Sequence, residues 1–216
     1  MINLVYIINL KNHMKTEDNK SLMRMARESL KGKWGLAIGG LVVYCLVVGI
    51  VEAVPKVGGL ASIFIAGPMM GGLAVFSLAI SRNQEVKIEQ LFQGFNRFGT
   101  YLGAYWLMIL FIVLWSLLLI IPGIIAAYGY AMTFFILADD SSIGISEALK
   151  KSKEIMSGHK WKYFCLAWRF FGWFLLCLLS LGIGFFWLFP YMQISFAKFY
   201  EDLKSGQKFN TLDADV

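Results

Sequence analysis

Long apolar runs alternate with short polar segments along the whole chain. Six such runs cover residues 34–54, 57–80, 101–121, 122–138, 163–181 and 185–200. Because about 20 helical residues cross a hydrocarbon core of about 30 Å, each run predicts one membrane span. Runs three and four are nearly continuous, as are runs five and six, and each fused stretch is too long for one span. Breaks at Pro122-Gly123 and at Gly182 therefore predict tight helical hairpins.

A short amphipathic segment precedes each pair of runs, at residues 21–30, 87–95 and 146–156. The second has apolar residues at helical spacing, Ile88, Leu91, Phe92 and Phe95. Each segment leads through a small or polar joint into an aromatic residue, as in Lys31-Gly32-Lys33-Trp34. We predict three copies of one unit, at about 21–82, 83–140 and 141–203. Their basic faces predict a position in the cytoplasmic headgroup layer, although amphipathic loops that merely flank spans are an alternative.

These patterns predict an all-α membrane protein. We expect about six transmembrane helices as three helical hairpins, each preceded by a short amphipathic interfacial helix. The hairpins form one polytopic membrane domain at residues 21–203, between a disordered extension at 1–20 and a tail at 204–216. Residues 1–13 precede a second methionine, and we interpret Met14 as the natural start.

Composition excludes a soluble globular enzyme. The 216 residues are 58% hydrophobic and only 16% charged, whereas a soluble chain carries about 25% charge. The three cysteines lie inside apolar runs and form no Cys-x-x-Cys pair, which argues against a disulfide framework or a zinc site.

The positive charge has a strongly asymmetric distribution. The net charge is +6, and 18 of the 20 Lys and Arg residues fall before the first run, at 81–100, at 139–162, or after residue 197. With six spans all these segments lie on one side, which predicts that both termini are cytoplasmic. The charge is then explained by anionic lipid headgroups as partners rather than by nucleic acid.

Arg169 is the one basic residue inside a span. It is a candidate intramembrane contact for a lipid or substrate, with snorkelling or structural pairing as the alternative. Other candidates are helix contacts and helix breaks, namely Gly67, Pro68, Gly71, Gly72, Pro122, Gly123 and Pro190. Candidate contacts for cytoplasmic headgroups are Lys31, Lys33, Trp34, His159, Lys160 and Trp161.

The sequence contains no Ser-His-Asp arrangement, no His-Glu-x-x-His motif and no phosphate-binding glycine loop. Asp139 and Asp140 follow the fourth run, where they can cap the next helix or neutralise lysines, and a metal site would need further ligands. We therefore predict no catalytic residues, no metal and no cofactor, and a protein that is not an enzyme.

Several stretches carry a family resemblance. They include ARESLKGKWGLAI (26–38), LLLIIPGIIAAYGYAMTFFILADD (117–140) and EALKKSKEIMSGHKWKYF (147–164). Over about residues 21–203 the chain resembles a bacterial membrane family known as domain-of-unknown-function family 975. The resemblance implies a multi-pass protein of the bacterial inner membrane and brings no catalytic residues with it.

Two functional hypotheses follow. The first is a non-enzymatic membrane component that interacts with lipids or serves another complex. The alternative is a transporter or channel for a small or lipid-like solute, based on Arg169, the Pro and Gly breaks and the repeat. A protein partner or a second copy of the chain stays open under either hypothesis.

Overall fold

The computed structural model describes residues 17–55, 58–180 and 182–214, and in this part every regular element is helical. Helices satisfy their own backbone hydrogen bonds, as a chain this apolar requires in lipid. Residues 1–16, with the suggested start at Met14, lie outside the described part. The first helix begins at Asn19, inside the predicted extension, because the Asp18 side chain caps it by accepting from the Lys20 N–H.

The helices follow one another in an order that repeats three times. They are α1 (Asn19–Leu30), α2 (Trp34–Glu52), α3 (Gly58–Ser81), a 3-10 helix (Ile88–Arg97), α4 (Phe98–Leu118), α5 (Ile120–Tyr130), α6 (Thr133–Asp139), α7 (Ile145–Ile155), α8 (Lys160–Leu179) and α9 (Phe185–Ala214). The first repeat is α1 to α3, the second runs from the 3-10 helix to α6, and the third is α7 to α9. Each consists of a short helix, a long apolar helix and a return.

Five stretches of the described chain are long and apolar enough to cross a membrane, not the six that the sequence predicted. They are Trp34–Glu52, Ala61–Ser81, Ile88–Leu118, Ile120–Asp139 and Lys160–Leu179. The sixth predicted span is the first half of α9. Its apolar part ends after Ala197, because Lys198, Glu201 and Asp202 follow on the same helix, which then continues through the predicted tail to Ala214.

The return helices form the centre of the molecule and the first long helices surround them. Within the spans, 61% of α3 and 50% of the α5–α6 stretch are buried, against 11% of α2 and 17% of α8. α9 contacts α3 and α8, and the Tyr200 ring stacks on the Phe135 ring of α6 with centroids 5.8 Å apart. Large apolar side chains on α2, α4 and α8 are consequently left exposed on the outer surface.

Each short helix packs chiefly on the repeat that precedes it, and the first packs on the third. The 3-10 helix lies on α3, α7 lies on α6, α4 and α5, and α1 lies on α9. Each has at least one fully buried residue, such as Ala26, Leu91 and Ser152. The three repeats therefore form a closed ring. The apolar faces that the sequence assigned to the headgroup layer are covered by protein, because the neighbouring repeat offers them an apolar surface.

Glycines allow the closest of these approaches. A Cβ at Gly72 would lie 1.7 Å from the Leu91 carbonyl oxygen, and one at Gly94 would lie 1.9 Å from the Pro68 oxygen. Gly67 and Gly71 similarly face Tyr101 on α4. A Cβ added at either glycine would lie within 2.6 Å of a Tyr101 atom. The predicted small residues of α3 thus lie where two helix backbones meet.

The prolines that were predicted as breaks do not interrupt their helices. α3 continues through Pro68 and α9 through Pro190. The chain reverses instead at Leu119, which is extended with φ −163° and ψ 144°, and Pro122 lies in the first turn of α5. A proline there costs little, because the first N–H groups of a helix have no intrahelical partner. Gly123 packs against Ser116, whose Oγ would lie 2.0 Å from a Cβ.

The joints after α1 and α7 share one conformation. Gly32 and Gly158 have φ of 76° and 78°, in the left-handed region that favours glycine. Each terminates the short helix just before a long helix begins, at Trp34 or at Lys160. This local match supports the equivalence of the first and third repeats.

Replacing Gly72 with alanine should destabilise the protein by about 1–3 kcal/mol, because the new Cβ meets a backbone oxygen that cannot move alone. Thermal unfolding in detergent measures the effect. Gly49→Ala is the matched control, because Gly49 also lies in a long helix and nothing lies within 4 Å of its Cβ position. The stability of this variant should be unchanged or slightly higher. Equal unfolding temperatures for the two variants would contradict the close packing of the 3-10 helix on α3.

Candidate functional site at the charged end of the bundle

The three return helices meet at one end of the bundle through ionic contacts. Arg82 directly follows α3, Asp139 ends α6, and Glu201 lies in α9. The Arg82 guanidinium donates Nη2–H to Asp139 Oδ1 at 2.6 Å and Nε–H to Glu201 Oε1 at 2.9 Å. One arginine thereby connects all three repeats. We call Arg82, Asp139, Glu201 and Lys204 the axial ion cluster, and this end of the molecule the charged end.

Every carboxylate oxygen of the axial ion cluster accepts a hydrogen bond. Asp139 Oδ2 accepts from the Tyr200 hydroxyl at 2.8 Å and from the Lys204 ammonium. Glu201 Oε2 accepts from the Ser81 hydroxyl at 2.7 Å. The Asp139 side chain is only 7% exposed, so it depends on these donors for the solvation it has lost. These hydrogen bonds and ion pairs hold the ends of the three return helices together.

Arg82 is suited to this position by its geometry. Its planar guanidinium offers donors in two directions, which a lysine ammonium cannot match in orientation. Partial burial acts to lower the pKa of Arg82, but its hydrogen bonds to Asp139 and Glu201 outweigh this and raise the pKa. The cluster therefore keeps its positive centre at every physiological pH.

Further polar contacts tie the short segments to the same end. The Lys162 ammonium lies 2.8 Å from Asp202 Oδ2, and the Lys162 carbonyl accepts from Asn19 Nδ2 of α1. Arg97 donates to the backbone oxygens of Leu137, Asp140 and Ile143, where α6 ends. A cation at a helix C-terminus satisfies carbonyls that have no intrahelical donor.

Two grooves lie between successive repeats, and each extends from a cation of a short helix toward the turn of the neighbouring hairpin. The first, which we call the Arg27 groove, has a volume of about 390 Å³ and lies between the third and first repeats. Its lining includes Arg27, Trp34, Trp173, Cys177, Trp187 and Tyr191. The second, the Lys153 groove, has about 250 Å³ and lies between the second and third repeats. Its lining includes Trp115, Pro122, Ile125, Tyr130, Lys153 and Lys160.

A larger, mainly apolar cavity of about 550 Å³ lies between α2, α3 and α9. Its few polar groups are side chains such as Tyr44, Ser77 and Gln193. The Ser77 hydroxyl already donates to the Leu73 carbonyl of its own helix at 2.7 Å. This cavity brings together no cation and no carboxylate from its lining, in contrast to the two grooves.

The predicted intramembrane contact, Arg169, is exposed on α8 beside Trp168 and lines none of the cavities described above. Among the predicted headgroup contacts, Trp34 and Lys160 line the two grooves. Lys31 and Trp161 are exposed at the helix joints. The predicted contacts of these residues with lipid or substrate are not tested by their positions and stay predictions.

The other two predicted headgroup contacts have protein neighbours. The Lys33 ammonium donates to the Gln84 carbonyl at 3.2 Å. Partial burial and the Lys162 ammonium lower the pKa of His159, so its imidazole is neutral at pH 7. Neutral His159 adds no charge to a surface that is already basic.

The axial ion cluster was missed in the sequence, although its members were visible there. From the sequence, Asp139 is predicted to cap a helix or to neutralise lysines. This prediction covers its ion pair with Lys204 but not its ion pair with Arg82. Arg82 counted only toward the charge asymmetry. The available signal was that a charged residue follows the return run of every repeat. No group of three His, Cys, Asp or Glu residues that could hold a metal occurs within the described ranges.

Arg82→Ala should lower the stability of the folded bundle by about 2 kcal/mol, because it leaves two largely desolvated carboxylates with fewer donors. Lys87→Ala is the control: the Lys87–Glu85 ion pair lies on the surface and its loss should have no measurable effect. Unfolding in detergent under increasing denaturant compares them. Arg82→Lys should recover only part of the lost stability. An Arg82→Ala protein as stable as the control would show that the axial ion cluster does not stabilise the bundle.

Comparison with known proteins identifies a family without an activity. The model of the family described as "Protein of unknown function (DUF975)" matches residues 14–126 and again residues 116–207. The second match begins in the second repeat, which agrees in part with an internal repetition. No curated protein and no solved structure matches the chain. The matched residues span most of the sequence, and the chain belongs to this family of unknown function.

Proposed function

We propose that the protein is a non-enzymatic component of the bacterial inner membrane that interacts with anionic lipids through its charged end. The observation that carries the proposal is the separation of two surfaces. Large apolar side chains are exposed along α2, α4 and α8, while exposed cations such as Arg24, Arg27 and Lys151 lie on the short helices α1 and α7. A membrane with a negative surface complements both.

The orientation that fits this proposal has the charged end at the cytoplasmic face. Contacts between Ser29 and Ser81, and between Lys162 and Asp202, join the segment before α2, the end of α3, the start of α8 and a part of α9 at one end. Basic residues remain on the cytoplasmic side during insertion. We further propose that α9 is a sixth span that completes three hairpins, since its apolar part packs beside α3 and α8.

Extraction of the protein in polymer-bounded nanodiscs, followed by lipid identification, tests the lipid interaction. The retained lipid should be enriched in anionic species at least about twofold over the bulk membrane, because each cation near the surface favours anionic lipid by about 1 kcal/mol. A retained composition equal to the bulk would argue against the proposal. A stoichiometric co-purifying protein would instead support an accessory role in another complex.

Cysteine accessibility in intact cells tests the orientation. In a cysteine-free background, an impermeant maleimide should label Ala53→Cys, at the end opposite the axial ion cluster, and should leave Lys151→Cys unlabelled until the cells are opened. Both positions are exposed, so access alone decides the outcome. The reverse labelling would overturn the proposed topology.

A further inference from the structure

We propose that the Arg27 groove and the Lys153 groove each bind an anionic glycerophospholipid, with an acyl chain along the apolar lining and the phosphate at the cation. This inference rests on the proposed lipid interaction and specifies its sites. It follows from three properties of the grooves: their repeated position, the chemistry of their lining and the state of their cations.

The two grooves occupy equivalent places in the ring of repeats. The register is given by the glycines Gly32 and Gly158, which share a positive φ. Six residues before each lies a fully buried residue, Ala26 or Ser152, and the next residue is Arg27 or Lys153. In both cases the short helix of one repeat directs its cation into a groove formed by the long helices of the preceding repeat. A feature built twice on different residues is a property of the architecture rather than a local accident of packing.

The lining of each groove is matched to a chain with a charged head. In the Arg27 groove, one side extends from Gly184, just before α9, to Tyr191 within it, a distance of about 10 Å at helical rise. Half of a hydrocarbon core is about 15 Å, so the groove follows most of one leaflet. Trp173 and Trp187 supply broad apolar surfaces, and Trp residues are typical of lipid-facing boundaries.

The cations at the groove ends are available to a ligand. Arg27 and Lys153 are exposed, and no carboxylate in the described ranges lies within ion-pair distance of Arg27, Lys153 or Lys160. The Lys160 ammonium lies 3.6 Å from the Cβ position of Gly129, over the wall of its groove. A phosphate diester offers both the charge and the acceptors that these donors lack, and a guanidinium can bind it with two parallel hydrogen bonds.

The third boundary of the ring is an internal comparison. There the buried residue is Leu91, and the residue that follows it is Phe92 rather than a cation. The 3-10 helix is pressed against α3 by the contacts of Gly72 with Leu91 and of Gly94 with Pro68. A cavity of about 230 Å³ between the first and second repeats, which reaches Tyr105 of α4, has the carboxylate Glu52 in its lining and no cation. The structure assigns two lipid sites, not three.

Native mass spectrometry of the full chain, delipidated in mild detergent and titrated with phosphatidylglycerol or phosphatidylcholine, tests the sites. The unaltered protein should bind two equivalents of phosphatidylglycerol before weaker, unsaturated binding begins, with no such step for phosphatidylcholine. Arg27→Gln should weaken one equivalent about tenfold or more, and the double change of Lys153→Gln with Lys160→Gln should weaken the other. The triple variant should lose both.

Matched control variants remove one positive charge from the same helix but leave the residues that line the grooves unchanged. Arg24→Gln on α1 and Lys151→Gln on α7 remove exposed cations that line neither groove, and should retain two equivalents. Arg27→Lys keeps the charge and should restore most of the binding, which separates loss of the phosphate contact from misfolding. Far-ultraviolet circular dichroism should be the same for all variants.

The outcomes separate the sites from the proposed function. If the protein prefers phosphatidylglycerol but groove and control variants behave alike, the two sites are wrong while the anionic-lipid interaction stands. If neither lipid shows a preferred stoichiometry, both fail. Binding of inorganic phosphate alone at the same affinity would also overturn the inference, because the acyl chain would then contribute nothing.

Discussion

The axial ion cluster is the contact on which the arrangement of the three repeats depends. Apolar helices gain little from leaving lipid for one another, so association in a bilayer requires close packing and polar contacts. Arg82 connects Asp139 and Glu201 across the ends of three helices, and all four carboxylate oxygens have donors. The cluster is therefore satisfied as a unit. It fixes which ends of the return helices meet, and this in turn sets where the short helices can lie.

The ring of short helices is the second determinant of the shape. Each buries one face on the preceding repeat in the ring, and α1 and α7 leave basic residues exposed on the other face. At Gly72 and Gly94 the 3-10 helix lies in close contact with α3. At the other two boundaries a groove is lined by the cation of the short helix, Arg27 or Lys153. The three boundaries thus differ in whether a cation of the short helix lines a groove.

Much of the architecture follows from the sequence, because long apolar runs and charge asymmetry are strong signals. The all-helical class, the membrane character and the order of short and long helices were predicted from them. Five stretches of the described chain meet the length and hydropathy of a span and the sixth predicted span does not, since Phe185–Tyr200 is apolar only in its first thirteen residues. The sequence predicts breaks at Pro68 and Pro190, but a long helix with many remaining hydrogen bonds can continue through a proline.

The candidate site was much less predictable. In the sequence, Arg169 is conspicuous as a charge in an apolar run. The axial ion cluster instead joins Arg82 to Asp139 and Glu201, which lie 57 and 119 positions later in the chain. Such pairings depend on which helix ends converge, which periodicity does not encode. The Arg27 groove likewise combines the first and third repeats. Its cation looked like any other basic residue of an amphipathic face.

Closure of the ring also constrains how the chain can be assembled. The larger partner surface of α1 lies on α9, roughly 160 residues later, so while the first two hairpins are made α1 has only its smaller contact with α3, where Ala26 and Leu30 belong to one buried cluster with Phe76 and Ile80. At about 5–20 residues per second, this interval is on the order of ten to thirty seconds. During biosynthesis the part of α1 that contacts α9 must therefore stay in the membrane surface or on a chaperone until the last helix arrives.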